Sequence, residues 1–147
     1  MSIGALKFFQ AYLNEMIEVG GENLPRTIST KLGSKLAKIY KSRGINDIEM
    51  ALEQMYKVMN GSPKIKKVDD NNFEVTLKYP KRFCPIGGKY NPKRAEFIQQ
   101  ALCYPFTKSF LNELNPSFNY NAKIDECILS SIKGCCLYSL QLEKKEK

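Results

Sequence analysis

Among its 147 residues the chain has no histidine. That absence excludes Ser-His-Asp and Cys-His nucleophilic catalysis, and any haem held by histidine. A metal here would have to be held by thiolates and carboxylates. No apolar run approaches the roughly 20 residues that a spanning helix needs, so no membrane span is expected. The first sixteen residues, MSIGALKFFQAYLNEM, lack the layout of a secretion signal and read as part of the fold, which points to a cytoplasmic protein. There are only five cysteines, an odd number with no disulfide-framework spacing. In a reducing compartment such thiols are buried, metal-bound or reactive.

What is present suits one domain over residues 1–147, long enough to bury a core and too short for two. The net charge of +8, from 23 basic and 15 acidic residues, permits an anionic partner without choosing among nucleic acid, membrane surface and protein.

Hydrophobic spacing predicts a helix over 3–19, with Leu6, Phe9, Leu13, Met16 and Ile17 on one face and Gly20-Gly21 as its stop. A second helix is expected over 28–43, with Leu32, Leu36, Ile39 and Tyr40 as its stripe and Gly44 past its end. A third begins at Asn46 as N-cap, with Glu49 as capping-box partner, and buries Ile48, Ala51, Leu52, Met55, Val58 and Met59. The period then changes to two. KIKKV and FEVTLKY flank Asp69 to Asn72 and read as a β-hairpin. Asn91-Pro92 opens a fourth helix, which Pro105 should kink close to Cys103. Two more strands, around 122–129 and 135–142, close a second hairpin through Ser131 to Gly134. The order ααα-ββ-α-ββ predicts an α+β domain, its N-terminal helices packed on an antiparallel sheet made by two hairpins that flank the fourth helix.

Three of the five cysteines crowd into DECILSSIKGCCLYSL. Strand alternation puts Cys136 on the apolar face with Tyr138, Leu140 and Leu142, roughly opposite Cys127. Cys135 falls on the wetter face with Leu137, Ser139 and Gln141. Beneath a kinked helix carrying Cys103 and beside a loop carrying Cys84, the set Cys84, Cys103, Cys127 and Cys136 offers four soft ligands, which zinc would accept. No C-x-x-C knuckle supports it, and buried thiols serving as small hydrophobes explain the same residues. A redox or acyl-accepting thiol is the third reading, with Cys84 or Cys103 as its exposed candidate. The basic run Arg26 to Arg43 offers Lys31, Lys35 and Lys38 to phosphates, or is simply the solvated face of a helix. Glu96 and Glu126 stand near thiols in sequence, but no pair of acids at a working spacing supports acid–base chemistry. The chain is therefore not expected to be an enzyme.

The element order, the loop Cys84-Pro85-Ile86-Gly87, the helix with Cys103 and the ending Cys127…Cys136-Leu137-Tyr138-Ser139-Leu140 resemble the four-vinyl-reductase-type hydrocarbon-binding domains and the methanogen output domains. Both are similar in fold to small subunits of the TRAPP trafficking complex. The resemblance implies a non-enzymatic sensory or regulatory module that takes a small apolar or acyl ligand into a hydrophobic pocket, with zinc on cysteines near the last hairpin in some members. On that footing Phe106, Phe110, Tyr120 and Tyr138 are the expected pocket aromatics. Gly134, directly before the cysteine pair, departs from the pattern. No DNA-binding or histidine-kinase domain accompanies the motif within these residues, so a regulatory role is expected to need a separate partner chain. The first helix is apolar enough to pack outward in a homodimer. The competing reading is a basic nucleic-acid-associated protein that uses the 26–43 helix.

Overall fold

The computed structural model describes residues 3–146, the side chains of Ile3 and Leu6 excepted, so Leu6's expected place in the first stripe lies outside the described side chains. Helix α1 spans Ile3–Gly20 and stops where foreseen, with Gly21 at φ +64°. Helix α2 spans Asn23–Ser42, five residues earlier than expected, because Pro25 is tolerated in a first turn where its missing N–H has no partner to lose. Its end is a Schellman motif. Gly44 at φ +82° donates to Lys41 O, and Ile45 donates to Tyr40 O, both at 3.0 Å.

The buried stripe of α2 differs from the expected one. Leu32 and Ile39 are exposed, and the residues facing inward include Ser29, Gly33, Ala37 and Tyr40. Small residues win because α2 crosses the last helix at short range. A Cβ on Gly33 would lie 2.5 Å from Phe106 O and 3.1 Å from Phe110 N. Helix α3 spans Ile48–Val58, and its N-cap is Asp47 rather than Asn46, the Asp47 carboxylate accepting from Met50 N at 3.0 Å. Tyr56, four residues after Leu52, is buried where Val58 was expected, and Val58 is exposed.

Strands β1 (Ser62–Asp69) and β2 (Asn72–Lys78) form the expected hairpin, closed by Asp69 paired with Asn72. The helix that begins at Pro92 is interrupted near Pro105, as expected. An α-helical piece α4 (Pro92–Ile98) passes through a π-turn (Gln99–Cys103) into α5 (Tyr104–Leu114). The proline ring would collide with the Ala101 carbonyl in a regular helix, and the wider turn relieves that clash.

Strand β3 (Phe118–Glu126) starts four residues before 122 and ends before Cys127; β4 spans Cys135–Lys144. The early start extends the ladder so that Tyr120 pairs with Leu142 and Phe118 with Lys144. The early end follows from an irregularity at Asp125 and from Cys127 O, which accepts from Ser130 N and Ser131 N and so begins a turn. The sheet order is β1-β2-β4-β3, every pair antiparallel. In central β4, Cys136, Tyr138 and Leu140 sit opposite Leu77, Val75 and Phe73 of β2, and this face carries the buried residues covered by helices. The fold class is thus α+β, as the order of elements predicts. No described helix is long and apolar enough to cross a membrane.

Candidate functional site

Two groups of buried residues meet under the sheet. One gathers α2, α3, α5 and the strands around Leu52, Phe110 and Tyr138; the other gathers Leu13, Ile98, Leu102, Cys127 and Leu129 around the loop carrying Cys84. Between them lies a cavity of about 520 Å³, inside the range of roughly 300–1,000 Å³ usual for small-molecule sites. Its floor is the inward face of the sheet, with Leu77, Ala122, Ile124, Cys136 and Tyr138. Its roof is the π-turn region, where Ile98, Leu102, Cys103, Tyr104 and Phe106 project inward. Ala5 and Phe9 of α1 and Leu32 of α2 also line it and are exposed, so the cavity reaches solvent between these two helices.

No charged side chain lines this space. Its polar atoms are mostly committed to each other or to the backbone. Tyr56 and Tyr138 share a hydroxyl–hydroxyl bond of 2.5 Å, and the Tyr104 hydroxyl accepts from Ile124 N at 2.9 Å. Burial holds the Tyr56 and Tyr138 phenols well above their ordinary value, so both stay neutral. Tyr79 is likewise raised, by burial first and by nearby Cys84 second.

All four thiols singled out from the sequence line the cavity, whereas Cys135 does not. They do not share one chemistry. Cys84 sits in a tight loop where Cys84 and Gly88 exchange two backbone bonds of 2.9 Å, and Gln10 of α1 donates to its carbonyl at 3.1 Å. Burial raises the Cys84 thiol although Gly87 N donates to its sulfur at 3.3 Å. Burial raises Cys103 further. The two thiols expected to be the reactive, exposed candidates are therefore both held protonated by desolvation.

Cys127 and Cys136 both turn into the cavity, although Cys127 is one residue past the end of β3 and pairs with no residue of β4. Each thiol acts on the other, lowering Cys127 and raising Cys136. Burial opposes the Cys127 shift, but backbone N–H groups of Leu129 and Ser130 and the Gln99 side chain add to it. Cys135 points to the other face, toward Glu126 Oε2 at 3.5 Å, as alternation predicts, but it is buried there rather than wet. Among the described residues no group of three or more Cys, Asp or Glu side chains is arranged to hold a metal ion.

Of the four expected pocket aromatics, Phe106 and Tyr138 line the cavity. Phe110 and Tyr120 are in the core instead. Phe110 is fully buried, edge-on to Tyr40 at 5.7 Å and stacked on Phe106 at 6.3 Å, and Tyr120 donates to Asn115 O at 2.7 Å. Tyr56 and Tyr79 were missed. The spacing of Tyr56 from Leu52 was the available signal for the first; Tyr79 ends the alternating run of β2. Lys31, Lys35 and Lys38 are exposed on α2, away from the cavity.

No family model and no curated protein matches the sequence. Among solved structures, the chain is similar to a trafficking protein particle complex subunit 3 from Naegleria fowleri, whose crystal structure was determined covalently bound to palmitic acid. The superposition has a TM-score of 0.58 at 11% identity and covers 97% of this chain and 95% of that one. Likeness at that identity is likeness of fold: this chain has the architecture of a TRAPP subunit.

Proposed function

We propose that the chain is a non-enzymatic binding module that takes one apolar or acyl ligand into the cavity between the sheet and the π-turn. The observation that carries this reading is a cavity of about 520 Å³ walled mainly by aliphatic, aromatic and thiol groups, with Ser29 and Thr107 beside them and without a single charge. Each methylene removed from water there gains about 0.8 kcal/mol, so a long hydrocarbon tail is the ligand such a wall rewards. A charged head group would find no counter-ion inside and stays at the mouth beside Phe9 and Leu32. The palmitic acid held by a protein of the same fold supports the same ligand class.

The exposed Phe8, Tyr12 and Val19 of α1 offer a surface for a second copy or a separate regulator chain, in keeping with a module that reports its ligand to a partner. Native mass spectrometry of protein purified without detergent tests the proposal. A bound species of fatty-acyl mass is expected in the wild type and is lost in Ala122→Phe, whose added ring would project into the cavity. Equal occupancy of both proteins would place the ligand elsewhere and overturn the reading.

A further inference from the structure

The second hairpin holds two thiols in contact where the chain leaves β3. Glu126, the last residue of β3, pairs with Leu137, and Ile128 N donates to Cys136 Sγ at 3.4 Å, which sets that sulfur against the backbone just past Cys127. Continued by one residue, that register would oppose Cys127 to Cys136, and opposed residues of antiparallel strands have Cα atoms about 4.5–5.5 Å apart, inside the window of roughly 4.4–6.8 Å that a disulfide accepts. The two thiols lie close enough for each to shift the other's proton affinity. They also share the cavity wall, which gives small reagents a route to groups otherwise shielded from solvent.

We infer that Cys127 and Cys136 form a reversible redox pair, in which Cys127 is the attacking thiol, Cys136 the resolving thiol, and a hydroperoxide the oxidant. The Cys127 thiolate attacks the terminal oxygen of R–O–O–H. The O–O bond breaks, an S–O bond forms, and the departing alkoxide takes up the proton that the thiol released. Cys136 sulfur then attacks the sulfenic sulfur of Cys127, and the hydroxyl leaves with the Cys136 proton as water. In sum, two thiols and one hydroperoxide become one disulfide, one alcohol and one water. The peroxide gains the two electrons that the sulfurs lose.

The division of roles follows from the surroundings. Backbone N–H groups of Leu129 and Ser130 and the Gln99 side chain favour the Cys127 thiolate, whereas neighbouring Cys127 first and burial second hold Cys136 protonated, its sulfur accepting from Ile128 N at 3.4 Å. The titratable groups facing the pair are Cys84 and Cys103 beside Cys127, and Cys84, Tyr79 and Tyr138 beside Cys136. All of these are held neutral by burial, so Cys127 is the first of the set to ionise. The bridge would tie the start of β4 to the turn that carries buried Ile128 and Leu129, and Leu129 O accepts from Asn91 N at the start of α4.

The test treats reduced protein with hydrogen peroxide, alkylates the remaining thiols and maps the peptides. A cross-link between the peptide holding Cys127 and the peptide holding Cys135 and Cys136 is expected in the wild type, and equally in Cys135→Ser, with reversal by dithiothreitol. In Cys136→Ser, dimedone should trap a sulfenic acid at Cys127 on the order of tenfold faster than at Cys84 or Cys103. Loss of the cross-link in Cys135→Ser, or labelling of Cys127 no faster than Cys103, would overturn the inference. Should Cys136→Ser fail to fold, the wild-type and Cys135→Ser maps still decide it.

Discussion

The hydroxyls of Tyr56 and Tyr138 lie 2.5 Å apart and join α3 to the central strand β4 at the wall of the cavity. Both side chains are buried. Replacing one partner leaves a desolvated hydroxyl alone, at a cost of about 1–3 kcal/mol. Tyr138→Phe is therefore expected to lower the urea midpoint, and Tyr56→Phe combined with Tyr138→Phe to recover part of the loss. A double variant as unstable as the sum of the singles would show that the two hydroxyls do not act as a pair.

Gly33 sets how closely α2 approaches α5. An added methyl meets backbone atoms of Phe106 and Phe110, which cannot rotate away as a side chain could. Gly33→Ala should destabilise by about 1–3 kcal/mol despite the better helix propensity of alanine. A midpoint equal to or above that of the wild type would show that the two helices part to admit the methyl. Thermal unfolding followed by circular dichroism gives the comparison.

Alkaline pH should unfold this protein earlier than its composition suggests. Burial raises Cys84, Cys103, Tyr79 and Tyr138 above their ordinary values of 9.0 for thiols and 10.0 for phenols. The folded state keeps those protons while the unfolded chain releases them. Their contribution is therefore complete below pH 9 and is lost as pH rises from the ordinary values toward the raised ones, by roughly 1.4 kcal/mol per unit for each group. The thermal midpoint should be flat up to that point and fall steeply beyond it. Cys127 moves in the opposite sense: its alkylation should be half-maximal below the ordinary thiol value.

A ligand in the cavity should shield the thiols in its wall. Cys103 and Cys127 line the space, whereas Cys135 lies on the opposite face of the sheet. Saturation with a long-chain fatty alcohol is expected to slow alkylation of the first two and leave Cys135 unchanged. Uniform slowing of all three would indicate a global stiffening instead.

How much of this was legible in the sequence depends on whether the signal was local. The kink at Pro105 and the stops at Gly20-Gly21 and Gly44 were readable because proline and glycine act through their own backbones. So was the inward turn of Cys136 with Tyr138, because alternation has a period of two. The buried face of α2 was misread because bulk marks a face only when the neighbouring helix stands off; here the crossing selects Gly33 and Ala37 and turns Leu32 out. The end of β3 was misplaced by the turn that Cys127 O initiates, which needs Ser130 and Ser131 to fold back. The cavity itself is a gap among residues from α1 to β4, and no window of sequence contains it. For the same reason Phe110 and Tyr120 looked like pocket residues although they pack into the core.

The central claim is that the space between the sheet and the π-turn receives a hydrocarbon tail. A crystal of the protein saturated with a fatty acid carrying bromine at the tail end tests it most directly. The account predicts an anomalous bromine peak inside the cavity, between Tyr138 and Cys103, with the carboxylate near Phe9 and Leu32. A peak on the outer surface of α1, or on the solvent face of the sheet beside Cys135, would contradict it.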